Sequence, residues 1–286
     1  MADENLNPIP NHPDALATYE YSADGKTLTF TLRDDAYWHN GEKVTPEDIK
    51  WSIEFVAKTP VANAVFISTF SAIADSKTGD TFNDTFSGIA IDGQKIIITF
   101  DKIAPDALLT FTQFAPVPKS EFEGIDPLQV QQAPFFQHPI GCGPFMVEEV
   151  NMKNYTILAP FDKYYNGVAD FKIQLLPSAG DSDPNVVTRA KSGNLDYGYT
   201  KMVADVQALE GTPGITVTPI DVRYTRLFYL NKFDKKDGSP APLADVRVRQ
   251  ALRYAIDMET ICETLFQGSA VPANALRPTP TSRAAT

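Results

Sequence analysis

The sequence predicts an α/β protein of two domains or one large one, and three observations carry that expectation. Its 286 residues lie where a single hydrophobic core stops growing, at about 250–300 residues. Its 43% hydrophobic content is ample for a packed interior. From residue 171 onward, short apolar runs alternate with helical patterns, and such alternation implies crossover connections and a largely parallel sheet.

Taken in order, residues 27–33 set Leu28, Phe30 and Leu32 against Thr27, Thr29 and Thr31, the period of two of a strand with one buried face. Asp24-Gly25 is a turn signal, so a hairpin arm is expected to begin near Tyr19. Asn40-Gly41 then turns the chain into Thr45-Pro46-Glu47-Asp48. Thr45 suits a helix N-cap and Pro46 the first helical position, where a missing N–H costs nothing, and both acids face the positive end of the helix dipole. Ile49, Ile53 and Val56 recur at helical spacing with Trp51 and Phe55 on the flanks, and the helix should stop before Pro60. On this reading His39 and Glu42 are surface residues of the turn.

Residues 61–93 are mixed and turn-rich, 95–100 (KIIITF) reads as a strand, and 105–114 reads as a short helix broken by APVPK. Residues 119–139 show little regular pattern, and a boundary is expected near Pro139. Beyond it come a strand at 171–176 and a helix capped by Asp183-Pro184 that runs through Lys191 and ends at Gly193. A strand at 195–199, a helix at 203–209 and strands at 215–218 and 226–231 follow. Asp245 caps a helix bearing Val248, Ala251, Leu252, Ala255 and Ile256, and a last helix runs from Asp257 to Gly268 with Ile261, Leu265 and Phe266 on it.

Charge and motif content narrow the function. A net charge of −11 opposes nucleic-acid phosphates and anionic membrane surfaces. No run approaches the ~18 uncharged apolar residues of a membrane span, and MADENLNPIP has neither the basic nor the apolar region of an export signal. Cys142 and Cys262 lie outside any C-x-x-C pair and read as small buried hydrophobes rather than a bridge. His12, His39 and His138 sit in no H-E-x-x-H or triad pattern, and no glycine-rich phosphate loop occurs, so neither metal hydrolysis nor nucleotide binding is supported. Asp181, Asp183 and Asn185 imitate half a calcium loop, but Val186 stands where glycine is needed and Ser192 where glutamate is, so a helix start explains them better. The acid pairs Asp34-Asp35, Glu47-Asp48 and Glu148-Glu149 default to solvated faces and caps. Phe135-Phe136 and Tyr164-Tyr165 could stack on a ligand, but packing outweighs that by roughly twofold. Tyr224, Arg226, Tyr229 and Asn231 form a polar-aromatic segment between two others, and are the candidate ligand-binding residues.

The order of several motifs goes further. DGKTLTFTLRDDAYWHNGEKVTPEDIKWSIEFV at 24–56 closely resembles the signature of the peptide/nickel-type solute-binding proteins of ABC transporters. IGCGPF at 140–145, KYYNG at 163–167, SGNLD at 192–196 and PLADVRVRQALRYAIDMETI at 242–261 resemble later segments of that family in the same order. The resemblance implies a periplasmic-binding-protein-like (type II) lobe with a mixed sheet and an inserted α+β accessory domain. Residues 1–17 would be a remnant of the first lobe, 18–139 the accessory domain, 140–235 the first lobe and 236–286 the start of a second lobe that is mostly missing. It also implies extracytoplasmic capture of a small solute, most simply a peptide, for delivery to ABC permease subunits from a membrane-anchored parent, with no cofactor, no metal, no nucleotide and no enzymatic step. Cys142 departs from the family by standing where threonine is common. A chain truncated at both ends is expected to bind solute weakly and to expose Leu252, Ile256, Ile261 and Leu265, inviting self-association. The rival readings are a protein-interaction module without a small ligand and a carboxylate-dependent hydrolase.

Overall fold

The computed structural model describes residues 9, 11–60, 62, 64–177, 183–218, 227–234 and 238–273. The chain divides into two compact units, 1–177 and 178–286.

The first unit begins with a hairpin. Strands β1 (Ala17–Tyr21) and β2 (Thr27–Leu32) pair antiparallel, and Gly25 at φ +68° closes the turn in a region that side chains disfavour. Leu28 and Leu32 are buried and Phe30 is half-buried, as the alternation requires. Helix α1 (Pro46–Ala57) starts on a capping box, in which Asp48 N–H donates to the Thr45 hydroxyl and the Asp48 carboxylate accepts from Thr45 N–H at 3.0 Å. Helix α2 (Ala64–Phe70) follows, then a small hairpin of β3 (Lys77–Thr78) and β4 (Thr81–Phe82). A second hairpin joins β5 (Ile89–Asp92) to β6 (Lys95–Thr99), the strand read from KIIITF. Pairing of β2 with β6 completes an antiparallel sheet of order β1-β2-β6-β5.

Helix α3 (Ala107–Gln113) lies inside the expected 105–114. Its Phe111 meets Phe30 edge-on at 5.1 Å, and its Thr110 hydroxyl bonds that of Thr69 at 2.8 Å. The main core combines Leu28, Ile89, Ile96 and Ile98 of the sheet with Ile53 and Ala57 of α1, Phe70 of α2, and Ile73, Phe86, Phe100 and Ala107. Gly88 lets two chain segments touch there, since a Cβ on it would stand 2.4 Å from the Ala74 carbonyl oxygen.

Residues 119–139 form three 3-10 turns, Lys119–Glu121, Pro127–Gln132 and Pro134–Gln137. They cover the flank of α1, where Phe55, Phe122, Val130, Ala133 and Phe135 make a second core and Trp51 stacks on Phe55 at 4.7 Å. Strands β7 (Phe145–Asn151), β8 (Tyr155–Pro160) and β9 (Ile173–Leu175) form an antiparallel meander, with a register shift between Val147 and Glu149.

The second unit contains α4 (Val186–Lys191), α5 (Val203–Leu209), α6 (Val246–Ala255) and α7 (Met258–Thr264). Asp245 and Asp257 cap α6 and α7 as expected, accepting from Arg247 N–H and Thr260 N–H. Asp183 does not cap α4. The N-cap is Asn185, and Asp183 instead accepts from Asn185 N–H and pairs with Arg189 at 2.9 Å, because the turn before α4 places it two residues too early.

The expected parallel sheet is not formed among the described residues, where every strand pairing is antiparallel. Residues 195–199, 215–218 and 227–231 carry no strand assignment. Strand-like composition alone does not make a strand, because its backbone groups need a neighbour and otherwise stay with water.

Candidate functional site

The four candidate binding residues are only partly placed. Tyr224 and Arg226 lie outside the described residues. Tyr229 is 92% exposed, and Asn231, also exposed, accepts from Phe233 N–H at 3.0 Å in a local turn. Exposed neighbours Phe228 and Phe233 make this segment rich in exposed aromatic surface among the described residues. Tyr164 and Tyr165 instead serve packing, with their rings 4.4 Å apart and Tyr165 under the Arg33 guanidinium at 3.5 Å. Phe135 is in the second core, while Phe136 is 55% exposed.

Catalytic constellations do not assemble from the sequence candidates that are described. Asp35 is held by Arg33, which depresses its pKa by hydrogen bonding. Asp48 is used by the α1 cap and by Trp38 Nε1–H at 3.3 Å. Glu148 pairs with Lys172 and Glu149 accepts from the Tyr155 hydroxyl. Asp181 lies outside the described residues, and Asp183 is committed to Arg189. Among the described residues no three His, Cys, Asp or Glu side chains converge as metal ligands. Cys142 and Cys262 are free and partly buried, and burial pushes the Cys142 thiol up to about 11, so it is a poor nucleophile at neutral pH. A depression between the β7–β8 turn and the end of β9, lined by Met152, Tyr155, Leu175 and Pro177, has a volume of ≈ 110 Å³, below the ~300 Å³ of small-ligand pockets.

The stretch 37–56 is structural, but one of its residues is not where the turn pattern put it. His39 is half-buried rather than on the surface, and it grips a segment about a hundred residues away. Its backbone N–H donates to the Gly141 carbonyl at 2.8 Å. Gly141 N–H donates back to Nδ1 at 3.1 Å, Nε2 lies 3.0 Å from the Gly143 carbonyl oxygen, and the ring meets Phe161 edge-on at 4.9 Å. Burial lowers its pKa and the Gly143 bond partly offsets this. Glu42 is exposed as expected, accepting from Asn40 and from the Ser120 hydroxyl.

A second tie lies beside it. Arg33 donates to the Pro13 carbonyl at 3.1 Å, the Tyr165 hydroxyl donates to the Asp14 carbonyl at 2.9 Å, and Asn166 donates to the Asp14 carboxylate at 2.6 Å. Leu32, Ala36, Trp38 and Val44 form a third core that takes in Leu16, Ile140, Cys142 and Tyr165. The roles of His39, Arg33 and Tyr165 in these ties are not legible in the sequence. Local pattern carries no signal for partners so distant in the chain.

Comparison with known proteins agrees with this architecture. A family model described as "Bacterial extracellular solute-binding proteins, family 5 Middle" matches residues 12–286. A Brucella ovis protein whose name includes "ABC transporter peptide-binding protein" is 26% identical over 264 residues, covering 91% of this chain and 46% of its own length. The periplasmic oligopeptide-binding protein OppA of Salmonella typhimurium is 25% identical, covering 96% of this chain and 50% of its own length. Lactococcal OppA, solved with an endogenous peptide in a closed conformation, superposes with a TM-score of 0.77 at 21% identity, over 96% of this chain and 53% of that one. At that identity the likeness shows the fold, which is of the type II periplasmic-binding-protein class. The chain spans about half the length of the relatives it matches. With its ordered motifs, its capped helix after the 40–41 turn and a family match running from residue 12 to the end, the chain belongs to the bacterial extracellular solute-binding proteins of family 5.

Proposed function

We propose that this chain works in the capture of a peptide or similar small solute outside the cytoplasmic membrane and in its delivery to the permease subunits of an ABC importer. The observation that carries the reading is the family match over residues 12–286, joined by relatives named as peptide-binding proteins. Among the described residues no helix is long and apolar enough to cross a membrane. The proposed role is binding without chemistry, which accords with acids engaged in caps, ion pairs and turns.

The proposed division has residues 18–139 as an accessory domain, 140–235 as first-lobe chain and 236 onward as second-lobe chain. Supporting the first boundary, the two cores around α1 draw nearly all their members from that span. The proposed solute contacts are Tyr224, Arg226, Tyr229 and Asn231, with aromatic faces for side chains and a guanidinium for a carboxylate. The exposed setting of Tyr229 and Asn231 supports their availability. Because only about half of a relative's length is matched, this chain alone is proposed to bind weakly.

Calorimetry against a mixed pool of short peptides, with mass spectrometry of the pool afterwards, tests this. Intact peptides and a Kd weaker than about 1 μM are expected, less than about 8 kcal/mol of binding energy. Sub-micromolar binding would overturn the weak-binding claim, and cleaved peptides would favour a hydrolase.

A further inference from the structure

The two ring nitrogens of His39 have opposite duties. Nδ1 accepts from Gly141 N–H, so it carries no proton, and Nε2 must then carry the hydrogen that is donated to the Gly143 carbonyl. Only the neutral Nε2–H tautomer makes both bonds. A second proton would sit on Nδ1 and face the Gly141 N–H, donor against donor, in a site half closed by Phe161.

We propose that His39 is a proton-operated clasp between the N-terminal sheet and the returning chain at 141–143, shut when its imidazole is neutral and opened by protonation. The surrounding charges do nothing to hold an imidazolium in place. On the return segment, the Cys142 thiol stays protonated and neutral at neutral pH. Beyond Phe161 come Asp162 and Lys163, and the Lys163 ammonium lies 5.4 Å from the centre of the Tyr37 ring, close to the Gly41 turn. On the histidine's own turn, Glu42 is engaged by Asn40 and Ser120, and Lys43 donates to the Asp34 carbonyl. Burial is the leading influence on His39 and no carboxylate contributes.

An unfolded or released histidine takes a proton near 6.5, while the clasped one resists it, so the clasp contributes fully above 6.5 and is lost as pH falls through its lowered value. Opening is local, because the Tyr165 bond to Asp14 and the Arg33–Tyr165 contact do not involve the imidazole.

Nitrogen-15 NMR of the three histidines, with hydrogen exchange at Gly141 in the full chain, tests it. The expected results are an Nε2–H tautomer at neutral pH and a His39 midpoint below 6.5. Gly141 protection, corrected for intrinsic exchange, should fall by up to about tenfold per pH unit between 6.5 and that midpoint. In His39→Gln that dependence should vanish while β2 and β6 amides stay protected, and if this variant does not fold, the wild-type tautomer and midpoint decide. An Nδ1–H tautomer, a midpoint at or above 6.5, or Gly141 protection indifferent to pH would overturn the proposal.

Discussion

Glu54 is a carboxylate on the buried side of α1, where its Oε1 accepts from Phe86 N–H at 2.8 Å and lies 3.8 Å from the Lys50 ammonium. Burial raises its pKa against the pull of those partners. Its ionised form is the penalised one, so the linked stability is fully present below the ordinary carboxylate value of 4.5 and is lost as the pH rises through the raised one. Truncation and neutralisation should therefore part company. Glu54→Ala leaves the Phe86 N–H without its acceptor and should cost about 1–3 kcal/mol in urea unfolding, whereas Glu54→Gln keeps an acceptor and should stay within about 1 kcal/mol of the parent. Equal losses in the two variants would show that the charge itself holds the loop. At this scale little was legible beforehand. That Thr45 caps and Leu28 is buried could be read from their immediate neighbours, but the partners of Glu54 and His39 lie 32 and about a hundred residues away, and no local pattern encodes them.

Among the elements, α1 shows what sequence reveals well. Its start signal is complete within four residues, and Ile49, Ile53 and Val56 at its apolar spacing pack into the main core. Thr45→Ala removes the hydroxyl that accepts from Asp48 N–H and should lower stability by about 1 kcal/mol, while Thr45→Ser should preserve it, as thermal melts would report. If the two variants melted alike, the cap would contribute nothing measurable. The first hairpin, β6, α3 and α5 were equally open to reading, since each rests on a period or a turn inside its own span. The segments 195–199 and 215–218 were not, because a strand is a property of a pair. Leu252 of α6, Ile261 of α7 and Leu265 just past α7 are exposed, as expected for helices without a second-lobe partner, whereas Ile256 at the end of α6 is half-covered and departs from that expectation.

At the scale of the whole molecule, the class was read from the order of motifs, and the family match extends that order across residues 12–286. The stretch 37–56, which holds His39, Glu42, Glu47, Asp48 and Trp51, is a capped helix, a turn and a histidine that ties two chain segments together. Fold does not by itself deliver function, and the solute claim stands on the family and on the aromatic segment around Tyr229. The most direct measurement is a residue-resolved NMR titration of this chain with short peptides at millimolar concentration. Shifts are expected to concentrate around Tyr224, Arg226, Tyr229 and Asn231, with none within 37–56 and the peptide recovered intact. Shifts centred on 37–56, cleaved peptide, or no response at all would contradict that expectation.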